Sequence, residues 1–487
     1  MLARAMIATD VPTRVPPAGL AMISNALAGP PRMGDPYHFT GLREADAGLS
    51  SRTMPPEPTA ASLASGVNAT VDLTVGATGC GTGIPDLDRA WTTPASGPRL
   101  RAVRTAAEGL RHRFASGPRA VAVRTLPLLV FAYPTKYAFS GAALSVAPYL
   151  LLTHRCLLVQ FLQNGALKTL LFNPTDVPGA RATPFFARVA EHVPDRVRAL
   201  VARDAEPIAD QLGRHGIDPA EVDYVAFDRM HAQDLRPILG TSGAAGQAAR
   251  FAARFPEATL VVPRVEWDEW DDLHPLQRAW FVRDGRAGVN TTRVAFTSGD
   301  LMLGDGVMLL RTPGQTAGNQ TLFVNTNSGV WGISGNGTAA DNWSPFESKI
   351  PGLRSVCRKQ DLDIVMNSNT PARGADQYTS MVLEKTIADR LRRAPAFAQL
   401  FPSSEMPPSL LSPGMKPTVL HRAVTHGEVV VSSRARAGHA TAASPSASAV
   451  GGGVAAGGAE KGGAECGAVS TARADSNGAN RPIKAAE

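Results

Sequence analysis

The sequence predicts an α/β fold, a layered sandwich of helices and mixed β-sheets, within residues 119–432. Two observations predict it. Apolar runs of strand length and segments of helical period follow one another in two successive halves of this region. In the first half, two apolar runs are joined by Gln163-Asn164-Gly165, and Asn-Gly adopts the positive φ that a tight hairpin turn needs.

Each predicted element follows from its own apolar pattern. The first half contains four predicted strands, at residues 126–133, 150–162, 167–172 and 222–227. Two helices are predicted between the last two of these strands, at residues 185–193 and 207–212. The second half contains six predicted strands, at residues 259–263, 293–296, 307–311, 321–324, 329–333 and 363–366. It ends in a predicted helix at residues 376–393, because Leu383, Ile387 and Leu391 are spaced four apart.

The two ends of the chain differ in composition from this middle part. The 46 Gly and 38 Pro residues concentrate toward the ends. Residues 1–118 are therefore predicted to be disordered, apart from a short basic helix near residues 99–114, and residues 433–487 to form a disordered Gly/Ala/Ser-rich tail. An over-extended reading frame is one explanation for residues 1–118, and we expect a chain that starts near Ala120 to fold without them.

Composition argues against several classes of partner. The net charge is +7, but the charges are scattered and form no basic run, so no nucleic-acid partner is expected. The four cysteines are far apart, as is typical of a protein of the reducing cytoplasm. The sequence has neither a secretory signal nor the ~20 apolar residues of a membrane span, so we expect a cytoplasmic protein with no membrane partner. The sequence does not indicate the oligomeric state.

Four loops that follow predicted strands carry the polar residues of most interest. The first, residues 228–234, reads Asp-Arg-Met-His-Ala-Gln-Asp, and the second, residues 312–319, reads Thr-Pro-Gly-Gln-Thr-Ala-Gly-Asn. The third, residues 334–336, reads Ser-Gly-Asn, and the fourth, residues 367–371, reads Asn-Ser-Asn-Thr-Pro. In order and spacing they resemble the metal-binding loops of the metallo-β-lactamase superfamily, which read Thr-His-x-His-x-Asp-His, Thr-Pro-Gly-His-Thr-x-Gly-His, Thr-Gly-Asp and Pro-Gly-His-Gly-Pro.

The resemblance implies a four-layer αββα sandwich with two mixed β-sheets and a hydrolytic site at these loops. In the family, imidazoles and carboxylates hold two metal ions that generate hydroxide and polarise the scissile bond. His231 matches one metal-binding His, and Asp234, which replaces another, could still coordinate, so these two are the candidate catalytic and metal-binding residues. The other five ligand positions carry residues that bind zinc poorly: Arg229, Gln233, Gln315, Asn336 and Asn369.

These replacements predict a cleft without the usual two metal ions. An arginine inside a cation site opposes metal entry by like charge. One hypothesis is that Arg229 fills the vacated cavity and pairs with Asp234, while Gln315, Asn336 and Asn369 form a neutral hydrogen-bond network. The alternative is that these residues are a satisfied polar core left after loss of function. The predicted function is a non-catalytic one, or the binding of a small polar ligand, without a cofactor.

A second function stays open, and with it the question of whether the protein is an enzyme. A hydrolase of a lactone or another ester could work with one zinc, iron or manganese ion held by a rebuilt ligand set. His421 and His426 could complete such a set with His231 and Asp234, although lone histidines are more often core or surface groups. Asp341 could act as a displaced carboxylate, although a turn role is commoner for Asp-Asn.

Overall fold

Two β-sheets pack face to face, and helices cover the outer face of each sheet. The computed structural model describes residues 80–191, 202–243, 250–370 and 373–431. The strands are β1 (Thr82–Ile84), β2 (Ala122–Pro134), β3 (Tyr149–Gln163), β4 (Ala166–Phe172), β5 (Arg203–Asp204), β6 (Tyr224–Ala226), β7 (Thr259–Pro263), β8 (Val294–Thr297), β9 (Asp300–Gly304), β10 (Val307–Arg311), β11 (Gln320–Thr326), β12 (Gly329–Ser334), β13 (Arg390–Leu391), β14 (Ala394–Ala398), β15 (Leu400–Pro402) and β16 (Ser404–Glu405). The α-helices are α1 (Asp88–Trp91), α2 (Ser96–Ser116), α3 (Thr135–Ala138), α4 (Val177–Arg181), α5 (Pro184–Glu191), α6 (Ile208–Arg214), α7 (Arg236–Leu239), α8 (Arg264–Glu269), α9 (Leu353–Gln360) and α10 (Gly374–Ile387). None of these helices combines the length and the apolar composition that crossing a membrane requires.

Both sheets are mixed. The first has the strand order β5-β2-β3-β4-β6-β7-β8, and β16 also pairs with β3. The second has the order β1-β9-β10-β11-β12-β15. Neighbouring strands from β4 to β8 in the first sheet run parallel, as do β12 and β15 in the second, and the remaining pairs of these two sheets are antiparallel.

Side chains alternate between the two faces of each sheet, and both faces are apolar. In β3, Leu157 and Val159 belong to the core between the sheets, whereas Cys156 and Leu158 belong to the core under the helices of the first sheet. A third core lies between the second sheet and helices α2 and α10. A sheet that is buried on both faces needs apolar residues at consecutive positions, as the apolar runs of the sequence have. The four layers confirm the predicted αββα sandwich, the fold of the metallo-β-lactamase superfamily.

Residues 80–118 contribute to the fold, which therefore begins before the predicted start at residue 119. Strand β1 pairs with β9 in the second sheet. The predicted basic helix spans Ser96–Ser116, and its buried residues pack against the outer face of that sheet and against α10. The apolar stripe of α2 is narrow, as is typical of a short surface helix that docks on a domain. The predicted disorder of residues 1–79 and of the tail from residue 433 concerns parts of the chain outside the described residues.

Residues 363–366 form no strand, contrary to the prediction. Val365 is buried, but its backbone bonds run to Asn342: Val365 N donates to Asn342 O at 2.7 Å, and Asn342 Nδ2 donates to Val365 O at 2.8 Å. One asparagine therefore satisfies backbone groups that the apolar pattern assigns to a sheet ladder. The predicted helix at residues 376–393 ends at Ile387, and Leu391 lies in β13 instead.

Candidate functional site

A cavity of about 400 Å³ opens beside the first sheet, next to the loop that follows β6. Its polar lining, which we call the floor, includes Asp228, Arg229 and His231 of that loop, His154 of β3, and Asn369 of the fourth loop. Its walls are largely apolar and come from β2, α4, α5 and the turn that contains Trp280. The volume lies at the lower end of the range for small-molecule sites.

Buried hydrogen bonds hold the first loop at the end of β6. Asp228 N donates to Asn173 Oδ1 at 2.9 Å, and Met230 N donates to Glu266 Oε1 at 2.7 Å. The other carboxylate oxygen of Glu266 accepts from Gly318 N at 3.0 Å, so one side chain joins the first loop to the second. Burial raises the pKa of Glu266 to about 7. The position of the first loop is therefore set by side chains from two other segments.

Arg229 points into the site, but the predicted pair between Arg229 and Asp234 does not form. Its Nε donates to His231 Nδ1 at 3.3 Å, and its Nη1 lies 3.2 Å from Asp228 Oδ2. A Cβ atom at position 335 would overlap both Nη1 and Asp228 Oδ2, so Gly335 of the third loop makes room for the guanidinium. The Arg229 side chain is 16% exposed, and it lines the cavity.

Asp234 is bonded to a residue just after its own loop, at the start of α7. Its Oδ1 accepts from Arg236 Nε at 2.8 Å, and its Oδ2 accepts from Arg236 Nη2 at 2.7 Å. Oδ1 also accepts from the backbone N of Arg236 at 3.1 Å. This bidentate pair accounts for the absence of the predicted Arg229–Asp234 pair, and Asp234 is not among the residues that line the cavity.

Both ring nitrogens of His231 are engaged. A guanidinium only donates, so Nδ1 accepts from Arg229 and the ring proton is on Nε2, which donates to Gln277 Oε1 at 2.5 Å. Gln277 Nε2 in turn donates to the backbone O of Gln315 at 2.5 Å. Burial, together with the nearby charge of Arg229, lowers the pKa of His231 to about 3. The imidazole is therefore neutral, and it lies 6.0 Å from the Trp280 ring in a stacked arrangement.

The amides at the other predicted positions do not form one network. Gln315 Nε2 donates to two backbone carbonyls at 3.1 and 3.0 Å, and Asn336 Nδ2 donates to Glu384 Oε1 at 2.8 Å. Asn369 and Gln233 line the cavity, whereas Gln315 and Asn336 do not. The predicted hydrogen bonds among Gln315, Asn336 and Asn369 are thus replaced by separate bonds to the surrounding structure.

Glu384 is a buried carboxylate that the sequence did not single out. It lies on α10, beneath the second and third loops, and no part of it is exposed. Burial raises its pKa. Its two oxygens accept hydrogen bonds from four neutral donors, which belong to Thr321, Ser334, Asn336 and Trp343. A glutamate in a helix is ordinarily a surface residue. The one indication in the sequence that Glu384 is buried is its place beside Leu383 among the apolar residues of α10.

His154 is a second residue that the sequence did not single out. Its Nδ1 lies 2.8 Å from Ser404 Oγ and its Nε2 lies 2.9 Å from Thr175 Oγ1. Burial lowers the pKa of His154 to about 4, and Asp228 opposes the shift. The sequence does contain an indication of this role. His154 is a polar residue in an apolar strand, at an even-numbered position, and the even-numbered residues of β3 face the helices and the cavity.

The remaining sequence candidates lie elsewhere. His421 packs edge-on against Trp331 at 5.5 Å, and His426 Nε2 lies 2.8 Å from Ala120 O. Neither histidine lines the cavity, so the alternative set with His231 and Asp234 is not assembled. The carboxylate of Asp341 accepts hydrogen bonds from a serine and a threonine, which is the structural role expected of an aspartate in a turn.

The residues present do not fit a metal ion in the way that the fold family implies. A metal-binding His must offer a free ring lone pair, and that of His231 accepts from Arg229. Both carboxylate oxygens of Asp234 are bonded to Arg236. Across the described ranges, no three His, Cys, Asp or Glu side chains are grouped so that they could hold a metal ion.

No protein-family model matches the chain, and no curated protein matches it. Among solved structures, a quorum-quenching N-acyl homoserine lactone lactonase is 19% identical over 50% of this chain and 90% of its own, with a TM-score of 0.34. A probable metal-dependent hydrolase from Staphylococcus aureus is 13% identical over 55% of this chain and 83% of its own, with a TM-score of 0.36. A dizinc quorum-quenching lactonase is 11% identical over 65% of this chain and 99% of its own, with a TM-score of 0.37. These likenesses concern the fold alone.

Proposed function

We propose that this metallo-β-lactamase-fold protein works without a metal ion and binds a small organic ligand in the cavity at the four loops. The observation that carries the proposal is the bonding of His231. Its one available lone pair accepts from Arg229, and its ring proton is donated to Gln277. A ring bonded in this way has no nitrogen to offer to a metal.

The charge of Arg229 supports the proposal independently. A guanidinium remains charged at every physiological pH, so it places a permanent positive charge beside His231. A metal cation at the same position would have to overcome that repulsion and displace the Arg229–His231 hydrogen bond. Asp234, the one carboxylate among the seven residues that match family ligand positions, would have to release Arg236 as well.

The cavity supports ligand binding rather than a purely structural role. A site that had collapsed after losing its metal would have filled with side chains, because protein interiors pack densely. Here about 400 Å³ remains open beside the floor. That space is sufficient for a small organic molecule.

Elemental analysis of the full-length protein tests the proposal. The protein is purified without a tag from cells grown with added zinc, iron and manganese. We expect substoichiometric amounts of all three metals, unchanged by His231→Ala or by the control His426→Ala, whose ring lies at Ala120. A full equivalent of one metal that is lost in His231→Ala alone would overturn the proposal in favour of a metal-dependent hydrolase.

A further inference from the structure

The charges that line the cavity cancel. Asp228 and Arg229 face each other on the floor, with Oδ2 and Nη1 3.2 Å apart. Arg181, the remaining charged residue of the lining, pairs with Asp204 outside it, with Nη1 2.9 Å from Oδ2. His231 is neutral because its Nδ1 accepts a hydrogen bond from Arg229, and His154 is neutral because burial lowers its pKa to about 4. A ligand therefore meets a floor with no net charge.

The ion pair on the floor can form further hydrogen bonds, to a ligand in the cavity. Both side chains line the cavity, with 16% of Arg229 and 5% of Asp228 exposed, so part of each is within reach of a ligand. A guanidinium can only donate and a carboxylate can only accept. Gln233, which is 4% exposed and also lines the cavity, has an Oε1 atom without a partner in the described structure. Buried ion pairs are stable only when their remaining donors and acceptors are satisfied, so this floor favours a ligand that supplies both.

The walls of the cavity are apolar. Phe131, Phe186, Val189 and Trp280 line it. The Trp280 ring stacks on Phe185 with ring centroids 4.1 Å apart, and Phe186 lies edge-on to Phe131 with centroids 5.3 Å apart. Apolar surface of this kind gains free energy by covering a hydrocarbon or aromatic tail.

We infer that the cavity binds a neutral carboxamide with an apolar tail. The amide carbonyl accepts from Arg229, the amide N–H donates to Asp228, and the tail lies along the apolar walls. A carboxylate head would be attracted by Arg229 and repelled by Asp228 beside it, and an ammonium head the reverse. A charged head therefore gains little that offsets the loss of its hydration. The inference rests on the proposed function, since it names the ligand of the same cavity and replaces the expected polar ligand by an amphipathic one.

Calorimetric titration with three ligands that share one tail tests the head group. Octanamide, octanoate and octylammonium are titrated into the full-length protein. We expect octanamide to bind at least about tenfold more tightly than either charged ligand. Asp228→Asn should raise the affinity for octanoate by about tenfold, and Arg229→Gln should raise the affinity for octylammonium by about the same factor. Asp268→Asn, which alters a side chain that is 60% exposed, should leave the order unchanged.

Every outcome decides the inference. Equal or tighter binding of octanoate or octylammonium by the wild-type protein would overturn it, as would the failure of all three ligands to bind. An unchanged order of affinities in folded Asp228→Asn and Arg229→Gln would overturn it as well. The wild-type comparison stands even if a variant does not fold. The metal content of the same samples tests the proposed function separately. A metal-free protein that does not bind octanamide would overturn the inference but not the proposed function.

Discussion

Two buried clusters of charge lie under the four loops, and they are built in opposite ways. Around Glu384, one carboxylate is surrounded by four neutral donors and no part of it is exposed. At the cavity floor, Asp228 and Arg229 form an ion pair that borders about 400 Å³ of open space. The positions that match metal ligands of the family thus fall into two groups: Asn336 belongs to the closed cluster, and Arg229 belongs to the open one. The comparison teaches that hydrogen bonds close one part of the site, whereas the other part borders accessible space.

The closed cluster should be the more sensitive of the two to substitution. Glu384→Ala leaves four buried donors without their acceptor, and we expect it to lower the free energy of unfolding by about 4 kcal/mol. Urea unfolding measures the change. Glu384→Gln keeps one acceptor oxygen and should cost about half as much. Equal and small effects of both substitutions would show that water, rather than the carboxylate, satisfies these donors.

Glu266 extends the comparison to a third buried carboxylate, which joins the first and second loops. Its pKa is raised from 4.5 in the unfolded chain to about 7 in the folded protein, so the folded state binds its proton more tightly. The stability that this group contributes is fully present below pH 4.5 and is lost as the pH rises through about 7, a change of order 3 kcal/mol.

Urea unfolding of the wild type and Glu266→Gln between pH 5 and pH 8 measures that contribution. Asp300, whose pKa burial raises to about 6, titrates in both proteins, so the difference between the two curves isolates Glu266. The variant should lose less stability than the wild type as the pH rises. Parallel curves would show that Glu266 does not titrate in this range.

The open cluster should tolerate substitution better. Arg229→Met removes the partner of Asp228, but water in the cavity can reach the carboxylate, so we expect a loss of only about 1–2 kcal/mol in the free energy of unfolding. Arg214→Met, in an exposed pair with Glu206, is the matched control and should cost less than about 0.5 kcal/mol. A loss at Arg229 as large as that of Glu384→Ala would remove the distinction between the two clusters.

Most of the fold could be predicted from the sequence, because each strand appears as a local run of apolar residues. Nine of the ten predicted strands overlap observed strands, since a strand buried on both faces appears as a short apolar run. The exception, residues 363–366, has the same apolar character but bonds to Asn342. The contribution of residues 80–118 depends on the distant partners β9 and α10, which no local pattern reveals.

The site was predicted only in part. Of the residues that the loop order groups together, four line one cavity, whereas three do not. The four are Arg229, His231, Gln233 and Asn369, and the three are Asp234, Gln315 and Asn336. The partners that determine their chemistry were missed, because Gln277 lies 46 residues from His231 and Glu384 lies 48 residues from Asn336. The sequence-based hypothesis pairs Asp234 with Arg229, whereas its partner in the structure is Arg236, two residues away. The motif of metal-ligand positions identifies which residues lie at the site, whereas their hydrogen-bond partners depend on how separate segments of the chain pack.

The nitrogen NMR signals of the His231 ring test the central claim most directly. The full-length protein is labelled with nitrogen-15, and the ring signals are assigned by their loss in His231→Gln. We predict a neutral ring at neutral pH with its proton on Nε2, an unprotonated Nδ1, and no change when zinc is added. A proton on Nδ1, or a shift of either ring nitrogen on addition of zinc, would contradict a His231 that is held by Arg229 and closed to metal.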